Sequence, residues 1–193
     1  MNLAIRLSLG RILLTFIFMA FLFGQTLLSR VLALFIFILA VITDIYDGRW
    51  ARANNMVTPL GILLDPLADK ILMAAAFISF VGLKELAIPA WMVVIIITRE
   101  FIITGLRLLA AGQGIVLPAE REGKHKTASQ MTAIFMVLVY LIARSLGITY
   151  GWWNEVIERQ AKLGINLVML ITVILTVISG CLYLYRHKKI FIE

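Results

Sequence analysis

Long apolar runs separated by short polar breaks dominate this chain, and their length suits helices that cross a bilayer. Six such runs are predicted, at roughly 9–24, 30–50, 60–82, 87–110, 127–146 and 164–185. An even number of spans puts both chain ends on the same side. At 193 residues, 62% hydrophobic, the chain is too apolar for a water-soluble domain. A mean hydropathy of +0.98 says the same. No shift in composition divides it, so the pattern predicts an all-α membrane helical bundle forming a single domain over 1–193. Trp152 and Trp153 fall where an aromatic belt would mark the outer interface.

Against that apolar background the charged positions stand out. All four aspartates fall within one spaced pattern, Asp44-x-x-Asp47-Gly48-x-x-Ala51-Arg52, then eight residues, then Gly61-x-x-x-Asp65-x-x-x-Asp69. Carboxylates at or near membrane depth cost several kcal/mol unless something binds them, which makes the cluster a candidate functional site. On a helix Asp44, Asp47 and Ala51 share one face, at i, i+3 and i+7, and Asp65 and Asp69 share a face of the next helix at i, i+4. Two helices meeting there would present four carboxylates. Hard oxygen donors without His or Cys favour Mg²⁺ or Mn²⁺ over Zn²⁺, and a cluster of this size can hold two ions that clamp phosphate oxygens. Gly48 and Gly61 leave open backbone beside the acids, and Arg52 can fork onto a phosphate.

The basic residues orient the bundle. Twelve of them (among them Arg49, Arg52, Arg107, Arg121, Lys124 and Lys126) collect on one side of the six predicted spans and five on the other, with Arg99 between. The twelve-residue side is cytoplasmic by the positive-inside rule, and it carries the aspartate pattern. The net charge of +7 is thereby accounted for by topology and phosphate binding, with no basic–aromatic interleaving to argue for nucleic acid. The apolar run after Arg11 reads as a retained span rather than a signal peptide, and Cys181, the lone cysteine, cannot form an internal disulfide.

The aspartate pattern resembles the signature of the CDP-alcohol phosphatidyltransferases, membrane enzymes that move a phosphatidyl group from CDP-diacylglycerol to an alcohol and release CMP. Every signature position is filled. The resemblance implies that Asp44, Asp47, Asp65 and Asp69 hold two divalent ions and that Asp69 is also the catalytic base. It implies further that Gly48, Arg52, Thr58 and Gly61 bind CDP-diacylglycerol, that a short interfacial helix opens the chain, and that the protein is a homodimer. Ile5 stands where the family usually has Asn, and Ser8 where it has Thr.

A second block bears on the acceptor. Arg99-Glu100-Phe101, Gly105-Leu106-Arg107 and Gly123-Lys124-His125-Lys126-Thr127, followed by Gln130, resemble the phosphatidylglycerophosphate synthase branch of that family, whose acceptor is glycerol 3-phosphate. A phosphate-bearing acceptor needs fixed cations, and Arg107, Lys124 and Lys126 supply them. Arg99 and Thr127 complete the expected acceptor set. Arg99 and Glu100 lie inside an apolar run, where charge is tolerated only if paired or facing a polar cavity. His125 reads as a phosphate-adjacent or surface residue. The alternatives are a sister transferase using inositol phosphate, serine or phosphatidylglycerol, and a divalent-ion transporter. The second would more often place acids in both halves of the chain. The expected setting is the cell (inner) membrane, with the active site and both ends of the chain cytoplasmic.

Overall fold

The computed structural model describes the backbone of residues 3–53, 59–112 and 121–187, and the side chains of residues 9–43, 68, 70–112 and 126–187. Within them the chain is six helices with no strand: α1 (Leu3–Leu22), α2 (Leu27–Ala53), α3 (Pro59–Gly82), α4 (Ala90–Gly112), α5 (Arg121–Tyr150) and α6 (Glu155–Arg186). Each matches one of the six apolar runs. The short interfacial helix expected at the start is not a separate element, because α1 is continuous from Leu3. The only helix-weakening residue in that stretch is Gly10, which costs about 1 kcal/mol and is tolerated in a helix interior.

Local chemistry sets the ends. The hydroxyl of Thr26 accepts from the Ser29 amide and caps α2. At the close of α5, the amides of Trp152 and Trp153 both donate to the Gly147 carbonyl, at 3.0 and 3.1 Å. The turn relies on Gly151, whose φ of 76° favours glycine. Asn154 then caps α6 by accepting from the Ile157 amide at 2.8 Å.

One apolar core runs through the bundle, with residues from every helix, among them Phe18, Phe37, Phe77, Met92, Ile134 and Met169. α1 packs on α2 and α3; α5 packs on α2, α3 and α6; α4 bridges α3 and α6. Large apolar side chains also point outward, for example Phe16, Phe35, Leu109 and Leu163. Two helical stretches, Lys126–Tyr150 and Glu155–Arg186, are long and apolar enough to cross a membrane by length and composition.

Polar contacts gather at the two ends of this core. At the end holding the start of α2 and the close of α5, Arg30 donates to Glu85 at 2.5 Å, to the Leu141 carbonyl at 2.9 Å and to the Ser145 hydroxyl at 2.8 Å. Glu158 of α6 there pairs with Lys162 at 2.7 Å and Arg144 at 3.6 Å, and accepts from the Trp153 indole. The opposite end holds the second polar cluster and the aspartate-bearing turns.

Candidate active site

Asp44, Asp47, Gly48 and Arg52 fall in the closing turns of α2, and Gly61, Asp65 and Asp69 in the opening turns of α3. The side chains of these seven residues lie outside the described set, as does Thr58 entirely. Helical register nonetheless gives their positions meaning. Ala33, Phe37 and Ala40 form the buried stripe of α2, and positions 44 and 47 continue it at i+4 and i+7 from Ala40. Positions 65 and 69 lie on the line of Ala68, Leu72, Met73 and Ala76, the buried stripe of α3. Five residues separate the two helices, so the end of α2 and the start of α3 are at most about 20 Å apart. Among the described side chains, no group of three or more His, Cys, Asp or Glu could hold a metal.

Next to this region the structure resolves a polar cluster around Glu100, in the middle of α4. Three donors converge on its Oε1: Lys126 Nζ, Gln130 Nε2 at 3.3 Å, and Arg99 Nη1 at 3.4 Å. Lys126 and Gln130, one turn apart on α5, are both buried. Arg99 also donates to the Ser179 hydroxyl of α6 at 2.8 Å. One helical turn further along α6, the Tyr183 hydroxyl accepts from Arg107 Nε at 3.2 Å, and the Arg107 guanidinium lies 5.2 Å from the Tyr183 ring centre. Arg99 can approach α6 this closely because residue 180 is glycine; a Cβ there would stand 3.0 Å from Arg99 Cγ.

Of the expected acceptor residues, Arg99, Lys126 and Thr127 come together at this cluster, whereas Arg107 is held two turns along α4 by Tyr183. The side chain of Lys124 lies outside the described set, and its backbone falls in the first turn of α5. Lys126 is tied to Glu100 rather than standing as a solvated cation. Sequence reading left open what paired with Arg99 and Glu100. It missed Ser179 and Tyr183, whose only sequence signal is a polar pair at i, i+4 inside a long apolar helix.

Among the described side chains, Arg99 and Lys126 both pair with the Glu100 carboxylate, while Arg107 stands on Tyr183. Arg99 Nε is buried without a hydrogen-bond partner among the described residues. Lys70, the residue after Asp69, lines the same cleft as Glu100 and Lys126, so the acid-bearing end of α3 and the cationic cluster adjoin.

Comparison with known proteins gives one picture. The sequence profile of the CDP-alcohol phosphatidyltransferase family matches residues 1–178. The chain is similar to the CDP-diacylglycerol–glycerol-3-phosphate 3-phosphatidyltransferase of Bacillus subtilis, 41% identical over 152 residues that cover 79% of this chain and 71% of that one. It is 34% identical over 164 residues to the protein of that name from Rickettsia bellii, covering 85% and 83% of the two chains. With the Rickettsia felis protein of the same name it shares 32% identity over 190 residues, 98% of this chain and 97% of the other.

Proposed function

The chain belongs to the CDP-alcohol phosphatidyltransferase family, and on that premise we propose that it transfers the phosphatidyl group of CDP-diacylglycerol to sn-glycerol 3-phosphate, giving phosphatidylglycerophosphate and CMP. The observation that carries the choice of acceptor is the similarity over most of the chain to relatives named for glycerol 3-phosphate. Arg99 and Lys126 beside Glu100 also suit an acceptor bearing a phosphate, which serine lacks.

Asp44, Asp47, Asp65 and Asp69 offer only oxygen donors, at positions in helical register on α2 and α3, a set that fits Mg²⁺ or Mn²⁺. Ions held there would neutralise the diphosphate and the departing CMP. The chain's own residues do the rest. Gly48, Arg52, Thr58 and Gly61 hold the CDP-diacylglycerol diphosphate, Arg52 as a fork onto its oxygens. Arg99, Arg107, Lys124, Lys126 and Thr127 receive the acceptor phosphate. Asp69 takes the proton of the acceptor's 1-hydroxyl as that oxygen attacks phosphorus and the bond to CMP breaks.

In this reading all six helices span the cell membrane, with the aspartate pattern and both ends of the chain on the cytoplasmic side, and the protein works as a homodimer. Lys126–Tyr150 and Glu155–Arg186 support the membrane setting, and the distribution of basic residues supports the orientation. The test is CMP release from CDP-diacylglycerol and Mg²⁺ by the purified protein, with each acceptor offered in turn. Glycerol 3-phosphate should support release, and serine, inositol phosphate and phosphatidylglycerol should not. Release with one of those three and not with glycerol 3-phosphate would assign the chain to a sister activity.

A further inference from the structure

Among the described residues, Glu100 uses only half of its carboxylate. Lys126, Gln130 and Arg99 all donate to Oε1, and Oε2 accepts from no described residue. An ionised carboxylate has about four acceptor sites, so one oxygen is crowded while the other keeps its capacity. The side chain is 18% exposed, and it lines a cleft between α3, α4 and α5 together with Lys70, Lys126, Thr127 and Gln130. The cleft measures about 30 Å³. That is room for one or two water-sized groups, such as a hydroxyl.

We infer that Glu100 is the specificity-determining residue that reads the acceptor's second hydroxyl, its free oxygen accepting from the O–H that does not react. This deepens the proposed function and rests on it. Glycerol 3-phosphate has a phosphate, a reacting hydroxyl and one further hydroxyl between them. In the proposed function the phosphate goes to Arg99, Arg107, Lys124, Lys126 and Thr127 and the reacting hydroxyl to Asp69, which leaves the middle hydroxyl without a named partner. The three donors on Oε1 also fix the carboxylate in place from two helices. A pre-set acceptor of this kind discriminates against an analogue that lacks the hydroxyl, because Oε2 is then left without its donor.

The experiment compares glycerol 3-phosphate with 3-hydroxypropyl phosphate, which keeps the phosphate and the reacting hydroxyl and lacks the middle one. The readout is the ratio of kcat/KM for the two acceptors, which does not depend on how much of a sample is folded. Wild type should favour glycerol 3-phosphate by at least about a hundredfold. Glu100→Gln, which keeps a neutral acceptor, should reduce that preference about tenfold, and Glu100→Leu should reduce it to within about threefold of unity. Glu100→Asp, keeping the charge one methylene further back, should fall between wild type and Glu100→Leu.

A wild type indifferent to the middle hydroxyl overturns the inference, as does any active Glu100 variant that keeps the full preference. Loss of turnover with both acceptors in all three variants also counts against it, since Glu100 would then do more than read a hydroxyl. If wild type releases no CMP with glycerol 3-phosphate at all, the failure belongs to the proposed function.

Discussion

Replacing Glu85 by Leu should weaken the bundle without touching the reaction. Glu85 sits in the turn between α3 and α4, and its carboxylate is the counter-charge of Arg30, whose side chain is only 7% exposed. Arg30 would keep the Leu141 carbonyl and the Ser145 hydroxyl but lose its ion pair. Leaving a buried charge without its partner costs about 3–5 kcal/mol. Those two remaining acceptors place this site at the lower end, about 3 kcal/mol. For a chain of this size that lowers Tm by about 6–12 °C. Thermal unfolding in detergent, followed by tryptophan fluorescence, reads the shift directly. Turnover measured well below Tm should stay within about twofold of wild type, because the pair lies at the end of the bundle away from the aspartates. The double variant Arg30→Met with Glu85→Leu should recover most of the lost stability, since it leaves no orphan charge. A Tm within about 2 °C of wild type for Glu85→Leu would refute the reasoning. So would a double variant as unstable as the single one.

Three further outcomes are expected. Excess EDTA should abolish activity; Asp44→Asn, Asp47→Asn and Asp65→Asn should raise the Mg²⁺ concentration needed, and Asp69→Asn should depress kcat more than metal affinity. Equal metal shifts for all four would deny Asp69 a separate role as base. Gly180→Ala should raise the KM for glycerol 3-phosphate about tenfold with little change for CDP-diacylglycerol, because its Cβ would press on Arg99 at 3.0 Å; unchanged acceptor KM would remove Arg99 from that pocket. With Cys181 replaced by Ser, a cysteine at position 121 should be shielded from an impermeant thiol reagent in intact cells and one at position 153 should react; the reverse labelling would invert the proposed topology.

Hydropathy located all six helices because each carries an apolar run long enough to register on its own. It misplaced their ends where the end turns are polar. α5 starts at Arg121 and α6 at Glu155, and the opening turns of α6 hold Glu155, Glu158, Arg159 and Lys162, which lower the local hydropathy although Asn154 caps a helix there. The aspartate positions were legible for the opposite reason: charge in an apolar chain is conspicuous, and helical spacing alone assigns faces. What the spacing could not supply was pairing across helices. Glu100 touches its sequence neighbour Arg99, but its partners Lys126 and Gln130 lie 26 and 30 residues away. Arg99 and Arg107 find Ser179 and Tyr183 at separations of 80 and 76 residues. A run of cations therefore read as a set of phosphate ligands, while the structure makes Lys126 a buried partner of Glu100 as well.

The most direct test is the fate of the acceptor oxygen. Purified protein, Mg²⁺ and CDP-diacylglycerol are incubated with sn-glycerol 3-phosphate carrying ¹⁸O at its 1-hydroxyl, and the lipid product and CMP are weighed by mass spectrometry. The proposed transfer predicts phosphatidylglycerophosphate that retains the label and CMP that has none. Labelled CMP, an unlabelled lipid product, or no phosphatidylglycerophosphate at all would contradict it.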